Sequence, residues 1–88
     1  MNGDFTAIIW DSDDDPEGNV QHIERHNLTK QDVEEVLENP IDMDTSSSSG
    51  SPVAFGDTPG GRHIMVVYEI DGTNAYPITA YDVPRRKQ

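Results

Sequence analysis

The sequence contains no cysteine. That excludes disulfide staples and thiolate-rich metal sites, and makes a reducing, cytoplasmic setting the default expectation. Positive charge is scarce: 6 Lys and Arg stand against 17 Asp and Glu, for a formal net charge of -11. Such a chain repels phosphate at long range and attracts basic proteins, so RNA is disfavoured as a partner and a basic protein favoured. Long apolar runs are also missing. None approaches the roughly 20 residues needed to span a membrane, and no basic start followed by an apolar segment marks a signal peptide. With 88 residues, the chain is read as a single small domain, 1–88, with a modest core.

The charge is unevenly placed. Residues 1–44 hold 13 acidic and 2 basic side chains, whereas residues 45–88 hold 4 of each. Phe5 to Trp10 is an apolar, β-branched and aromatic run of strand length. Asp11 to Asp15 reads as a loop, and Asp15-Pro16 as the start of a helix that runs to about His26, weakened by Gly18. Thr29 and Asp32 have the spacing of a capping box, Leu28 and Val33 that of a hydrophobic staple. Val33, Val36 and Leu37 form the inward stripe of this second helix, which Asn39-Pro40 ends. The serine-rich segment 45–51 is expected to be a flexible loop, and 84–88 a disordered tail.

Three strands are expected in the second half. Pro52 to Phe55 is a short one. Arg62 to Ile70 is the strongest, with Ile64, Val66, Tyr68 and Ile70 on one face and Met65 and Val67 on the other, which predicts a central strand covered on both sides. Asp71-Gly72-Thr73 turns the chain into a strand over 74–83, where Pro77 predicts an edge, a bulge or an outward N–H. The fold class is therefore α+β: two helices on a mainly antiparallel four-stranded sheet, in the order β-α-α-β-β-β.

Trp10-Asp11, the helix ending in His26, the Asn27-Leu28-Thr29 corner and the amphipathic helix closing at Asn39-Pro40 together resemble the BrnT family of toxins. Gly61-Arg62, the run Ile64-Met65-Val66-Val67-Tyr68 and Ile78-Thr79-Ala80 extend the resemblance over roughly residues 9 to 82. It implies a RelE-like fold and ribonuclease activity on messenger RNA, by general acid–base chemistry without a metal or other cofactor. It also implies neutralisation by an antitoxin that binds DNA. His26 stands at the histidine of the family's Lys-His-Gly segment, with Arg25 for the lysine and Asn27 for the glycine. His22 stands where asparagine is usual. Arg62 matches a basic residue opening the long strand, and Tyr81 takes the place of an arginine. The implied roles are proton transfer by His26 and phosphate binding by Arg62, with His22 and Tyr81 assisting.

The residues themselves leave alternatives open. His22 and His26 are i,i+4 neighbours at the edge of the apolar stripe of Val20 and Ile23, beside Asn19. They are a proton-transfer pair or a pair of half-buried helix-end histidines. A hairpin would bring Tyr81 past Arg62, so that Tyr81, Arg62 and His26 form either a site or a tyrosine packed over an arginine. His22-Ile23-Glu24-Arg25-His26 resembles the zinc signature H-E-x-x-H, but its glutamate is one place late, and His63 is assigned to the other face of its strand. No metal site is expected. Two functions follow: a BrnT-like ribonuclease, or a non-catalytic acidic protein-binding module of the same fold.

Overall fold

The corner between the helices forms as its residues dictate. In the computed structural model, which describes residues 6–46 and 50–85, the second helix, α2, spans Lys30–Glu38. The Thr29 hydroxyl accepts the Asp32 N–H at 3.2 Å, and the Asp32 carboxylate accepts the Thr29 N–H at 3.0 Å. Two donors that the first turn cannot use are thus satisfied reciprocally. Leu28 and Val33 lie in one buried cluster, with Val36 and Leu37 beside them. Asn39 is the C-cap.

The first helix, α1 (Asn19–Glu24), is shorter than its sequence predicts. The Asp15 carboxylate accepts the Glu17 N–H at 3.0 Å, a local bond that competes with helix formation. The N-cap is Gly18, extended at φ -84° and ψ 165°. Glycine is needed there for closeness: a Cβ would sit 2.8 Å from the Asp11 Cβ. At the far end the Leu28 N–H reaches the Ile23 carbonyl (3.1 Å) and the Asn27 N–H the Glu24 carbonyl (3.0 Å). Asn27 is left-handed at φ 60°. This is a Schellman ending, with asparagine in the conformation that glycine usually supplies. His26 therefore lies in the turn beyond C-cap Arg25, not in the last helical turn.

The sheet has five strands, not four. They are β1 (Ala7–Ile8), β2 (Asp42–Thr45), β3 (Pro52–Asp57), β4 (His63–Asp71) and β5 (Asn74–Asp82), in spatial order β1-β5-β4-β3-β2. β1 pairs parallel with β5, and the other three pairings are antiparallel, so the sheet is mixed. β2 escapes sequence reading because Asp-Met-Asp-Thr has poor strand propensity, and its pairing with β3 overrides that. Of the strand expected over 5–10, Ala7–Ile8 pairs with β5, while Phe5 lies outside the described residues. Thr45 belongs to β2. Ser46 closes the following turn by donating to Ser51 (2.7 Å) and accepting from Gly50 (2.8 Å). Residues 47–49 of the expected loop and 86–88 of the expected tail lie outside the described residues.

Both helices cover one face of the sheet. Ile23, Leu28, Val33, Val36 and Leu37 pack on Ala54, Ile64, Val66, Tyr68, Ala75 and Ala80. Ile70 shares the parity of Ile64 and Val66 but lies beside the hairpin turn and is 54% exposed. β4 is central, yet its other face is open, with Met65 and Val67 only half-buried. The expectation of a strand covered on both sides fails because both helices sit on the same side. The β4–β5 register steps from Val67↔Thr79 to Tyr68↔Pro77. Ile78 is thus the extra residue of a bulge beside the proline, one of the three sequence alternatives.

A buried polar knot fixes α1 to the sheet. Asn19 is only 2% exposed. Its Oδ1 accepts the Asp11 N–H at 2.9 Å, and its Nδ2 donates to the Ile9 carbonyl (3.0 Å) and the Pro77 carbonyl (2.9 Å). The Asp11 carboxylate accepts the Asn19 N–H (2.9 Å) and the Tyr76 hydroxyl (2.6 Å). The hydroxyl of Tyr76 pulls the Asp11 carboxyl below its ordinary range. Asp11 in turn pushes the Tyr76 phenol up to about 12.

Candidate functional site

The Schellman ending of α1 leaves the carbonyls of His26 and Asn27 pointing out of the turn, and Arg62 takes both. Its Nη1 donates to Asn27 O at 2.6 Å and its Nη2 to His26 O at 2.9 Å. The same guanidinium grips Asp82 as a fork, Nε to Oδ1 at 2.9 Å and Nη2 to Oδ2 at 2.6 Å. The pairing of Ile64 with Asp82 sets this up, because it brings the end of β5 beside the residue that precedes β4. Hydrogen bonding to Arg62 holds the Asp82 carboxyl below its ordinary value, and Asp82 raises that of Arg62. Four of the five guanidinium N–H donors are thereby used.

His26 is exposed, and its ring centroid lies 5.9 Å from that of Tyr81 with the planes tilted by 52°. His26 thus meets Tyr81 through its ring and Arg62 through its carbonyl, but the hairpin sets Tyr81 opposite Met65 and brings Asp82, not Tyr81, to Arg62. Arg62, however, meets the backbone of His26, not its ring. His22 points elsewhere. Its Nδ1 lies 3.3 Å from the carbonyl of Ile78, the bulge residue, and donates to it, which leaves Nε2 the acceptor of the neutral ring. The i,i+4 histidine pair is therefore split, one ring turned to β5 and the other to Tyr81.

His63 lies on the open face. Its Nδ1 is 3.0 Å from Asp57, whose carboxylate also takes Arg85 at 2.9 Å. The hydrogen bond from His63, with help from Arg85, keeps the Asp57 carboxyl below its ordinary range. Among the described residues no group of three potential ligands is placed to hold a metal ion. The described lysines and arginines are all engaged. Arg25 donates to the Pro16 carbonyl, Lys30 pairs with Asp13 at 2.8 Å, Arg62 with Asp82 and Arg85 with Asp57.

The open sheet face carries a feature that sequence reading missed. Phe55 pairs with Met65 and Met65 with Tyr81; Val53 pairs with Val67 and Val67 with Thr79. Two cross-strand rows result, and each ends on β2 at an aspartate, Asp42 opposite Phe55 and Asp44 opposite Val53. The alternation of Val53 and Phe55 with Ala54 and Gly56 was the signal. It went unused because β2 was not expected. No known family, characterised protein or solved structure matches this chain.

Proposed function

We infer that the chain is a non-catalytic, acidic protein-binding module whose partner is basic. The observation that carries this reading is the state of its cations. A protein that holds a polyanion needs free basic groups along a track, whereas the described lysines and arginines here are tied to carboxylates or carbonyls. Arg62, the residue on which phosphate binding would depend, has one donor left. It acts as a clasp between the α1 corner and β5. The carboxylates remain in excess and provide long-range attraction for a basic surface.

A BrnT-like ribonuclease is the second reading. It is supported by the exposed His26 ring against Tyr81, with the guanidinium of Arg62 on the same corner. The two readings separate in one experiment with two arms. The purified chain is incubated with messenger RNA, and separately titrated with a lysine-containing peptide at low and high salt. The module reading expects intact RNA, and peptide binding that weakens as the Debye length falls to about 3 Å near 1 M salt. RNA cleavage that is lost in His26→Ala would overturn it in favour of the nuclease.

A further inference from the structure

Once the chain has paired its own charges, some carboxylates are left over, and two of them stand at the tip of the β4–β5 hairpin. Glu69 and Asp71 are exposed, and neither has a hydrogen-bond or ion-pair partner among the described residues. They share the parity of Met65 and Val67 and so project from the open face, with Cα atoms about 7 Å apart. Arg62, at the head of the same hairpin, lies seven residues or about 23 Å before Glu69 and is committed to Asp82. It cannot neutralise the tip.

Apolar surface adjoins these carboxylates. A depression of about 400 Å³ is lined by Glu69, Ile70, Asp71 and Tyr76. Ile70 is 54% exposed. Tyr76 stands directly opposite Glu69 across the hairpin, and its side chain is half-buried. The bond from its hydroxyl to Asp11 at 2.6 Å anchors the far end of the ring. Asp11 and burial, then the charges of Asp15 and Glu69, push the Tyr76 phenol up, so the ring lies in a negative field. The backbone beneath is fixed as well. Asp71 pairs with Asn74 around the turn Gly72-Thr73, where Gly72 is left-handed at φ 64°, and the Thr73 carbonyl accepts the Thr6 N–H at 2.6 Å. Groups held in place before binding lower its ordering cost. An aromatic ring, an aliphatic side chain and two unpaired carboxylates fit a side chain that is apolar along its stem and positive at its end. A guanidinium matches best, because it is planar and can lie on the Tyr76 ring while forking the carboxylate opposite.

We propose that the tip of the β4–β5 hairpin, formed by Glu69, Ile70, Asp71 and Tyr76, is the docking point for an arginine-bearing segment of a basic protein. The guanidinium lies on the Tyr76 ring and takes the Glu69 carboxylate, its stem rests on Ile70, and Asp71 adds the second negative charge. A second copy of this chain is a poor occupant, since each copy carries a net charge of -11. This rests on the reading of the chain as an acidic binding module and adds the surface and the contact chemistry.

The test follows the backbone amides and the tyrosine rings of the isotope-labelled chain by nuclear magnetic resonance. The probe is a blocked Gly-Arg-Gly-Arg-Gly peptide, compared with a version in which citrulline, uncharged and of the same shape, replaces arginine. At low salt the arginine peptide shifts the amides of residues 69–76 and the Tyr76 ring, and the citrulline peptide does not. Glu69→Gln combined with Asp71→Thr weakens binding about fivefold. Glu17→Gln combined with Glu24→Gln, the same charge change on exposed positions elsewhere, weakens it less than twofold. Glu69→Gln alone serves should the double variant not fold, and weakens binding about twofold. If the arginine peptide binds but its shifts gather at residues 13–24 or at Met65, with the tip variant no weaker than the control, the docking point is wrong and the module reading stands. Equal shifts at the tip from the citrulline peptide overturn the charge pairing in the same way. If neither peptide binds at low salt, the module reading itself fails.

Discussion

Replacing Asn19 tests the central structural argument most directly. Its side chain joins three segments at once: the Asp11 N–H, the Ile9 carbonyl and the Pro77 carbonyl, at 2.9, 3.0 and 2.9 Å. Asn19→Ala removes all three bonds and leaves those groups to find other partners in a site where the residue is 2% exposed. A buried polar group stripped of its partner costs about 1–3 kcal/mol, and three groups served by one side chain do not add in full, so about 3 kcal/mol is expected. A chain of 88 residues has a total stability of about 4–13 kcal/mol. The variant should therefore melt at least about 12 °C below the parent. Asn19→Asp keeps the size but turns two donors into a carboxylate facing two carbonyls, and should cost at least as much. The assay is urea unfolding followed in parallel by far-UV circular dichroism and by fluorescence of the single tryptophan, Trp10. Its indole N–H donates to Glu34 at 2.8 Å and so reports the contact of the loop with α2. Asn39→Ala, at an exposed helix end, is the control and should stay within about 0.5 kcal/mol of the parent. If Asn19→Ala falls in that same range, the knot is not what fastens α1 to β5.

Two further outcomes follow from the packing and the titrating groups. Gly56→Ala would place a Cβ 3.2 Å from Cγ1 of Val36, which is fully buried, so it should destabilise by about 1–3 kcal/mol. Val36→Ala should remove most of that cost in a double-mutant cycle, and an unchanged cost would refute the contact. Asp11, Asp57 and Asp82 are all held below their ordinary values, so their contribution is present above the unfolded carboxylate range of about 4 and fades as pH falls through the lower folded values. Tyr76 is raised to about 12. Its contribution is complete below the unfolded value of about 10 and is lost between about 10 and 12. Melting temperature against pH should fall at both ends. Tyr76→Phe should flatten the alkaline limb and, because the Tyr76 hydroxyl is the main group holding the Asp11 carboxyl down, also weaken the acid limb, where Asp57 and Asp82 still contribute.

Much of the fold was legible where its cause is local. The capping box of Thr29 and Asp32, the staple of Leu28 and Val33, and the stripe of Val33, Val36 and Leu37 need only neighbours within two helical turns. The alternation of β4 and the break at Pro77 were equally plain. The failures have non-local causes. β2 exists because β3 lies beside it, against the preference of its aspartates. α1 starts at Asn19 and not at Pro16 because Asp11 and Asn19 grip each other across Gly18. Asn19 stands out in the sequence only as a neighbour of the two histidines, since nothing nearby marks the two carbonyls it serves.

The candidate site divides in the same way. The sequence by itself determined the chemistry available: an acidic first half, few cations, no thiols, and the three residues His26, Arg62 and Tyr81 in strands and turns that could meet. Only the tertiary structure decided how that chemistry is used. It turned His22 to a backbone carbonyl, placed His63 with Asp57 on the other face, and tied Arg62 to Asp82 and two carbonyls. Composition counts charges, but the field a partner meets depends on which charges remain after the chain has paired its own. That depends on strand register and on the turn at Asn27, which bring residues far apart in sequence within hydrogen-bonding distance.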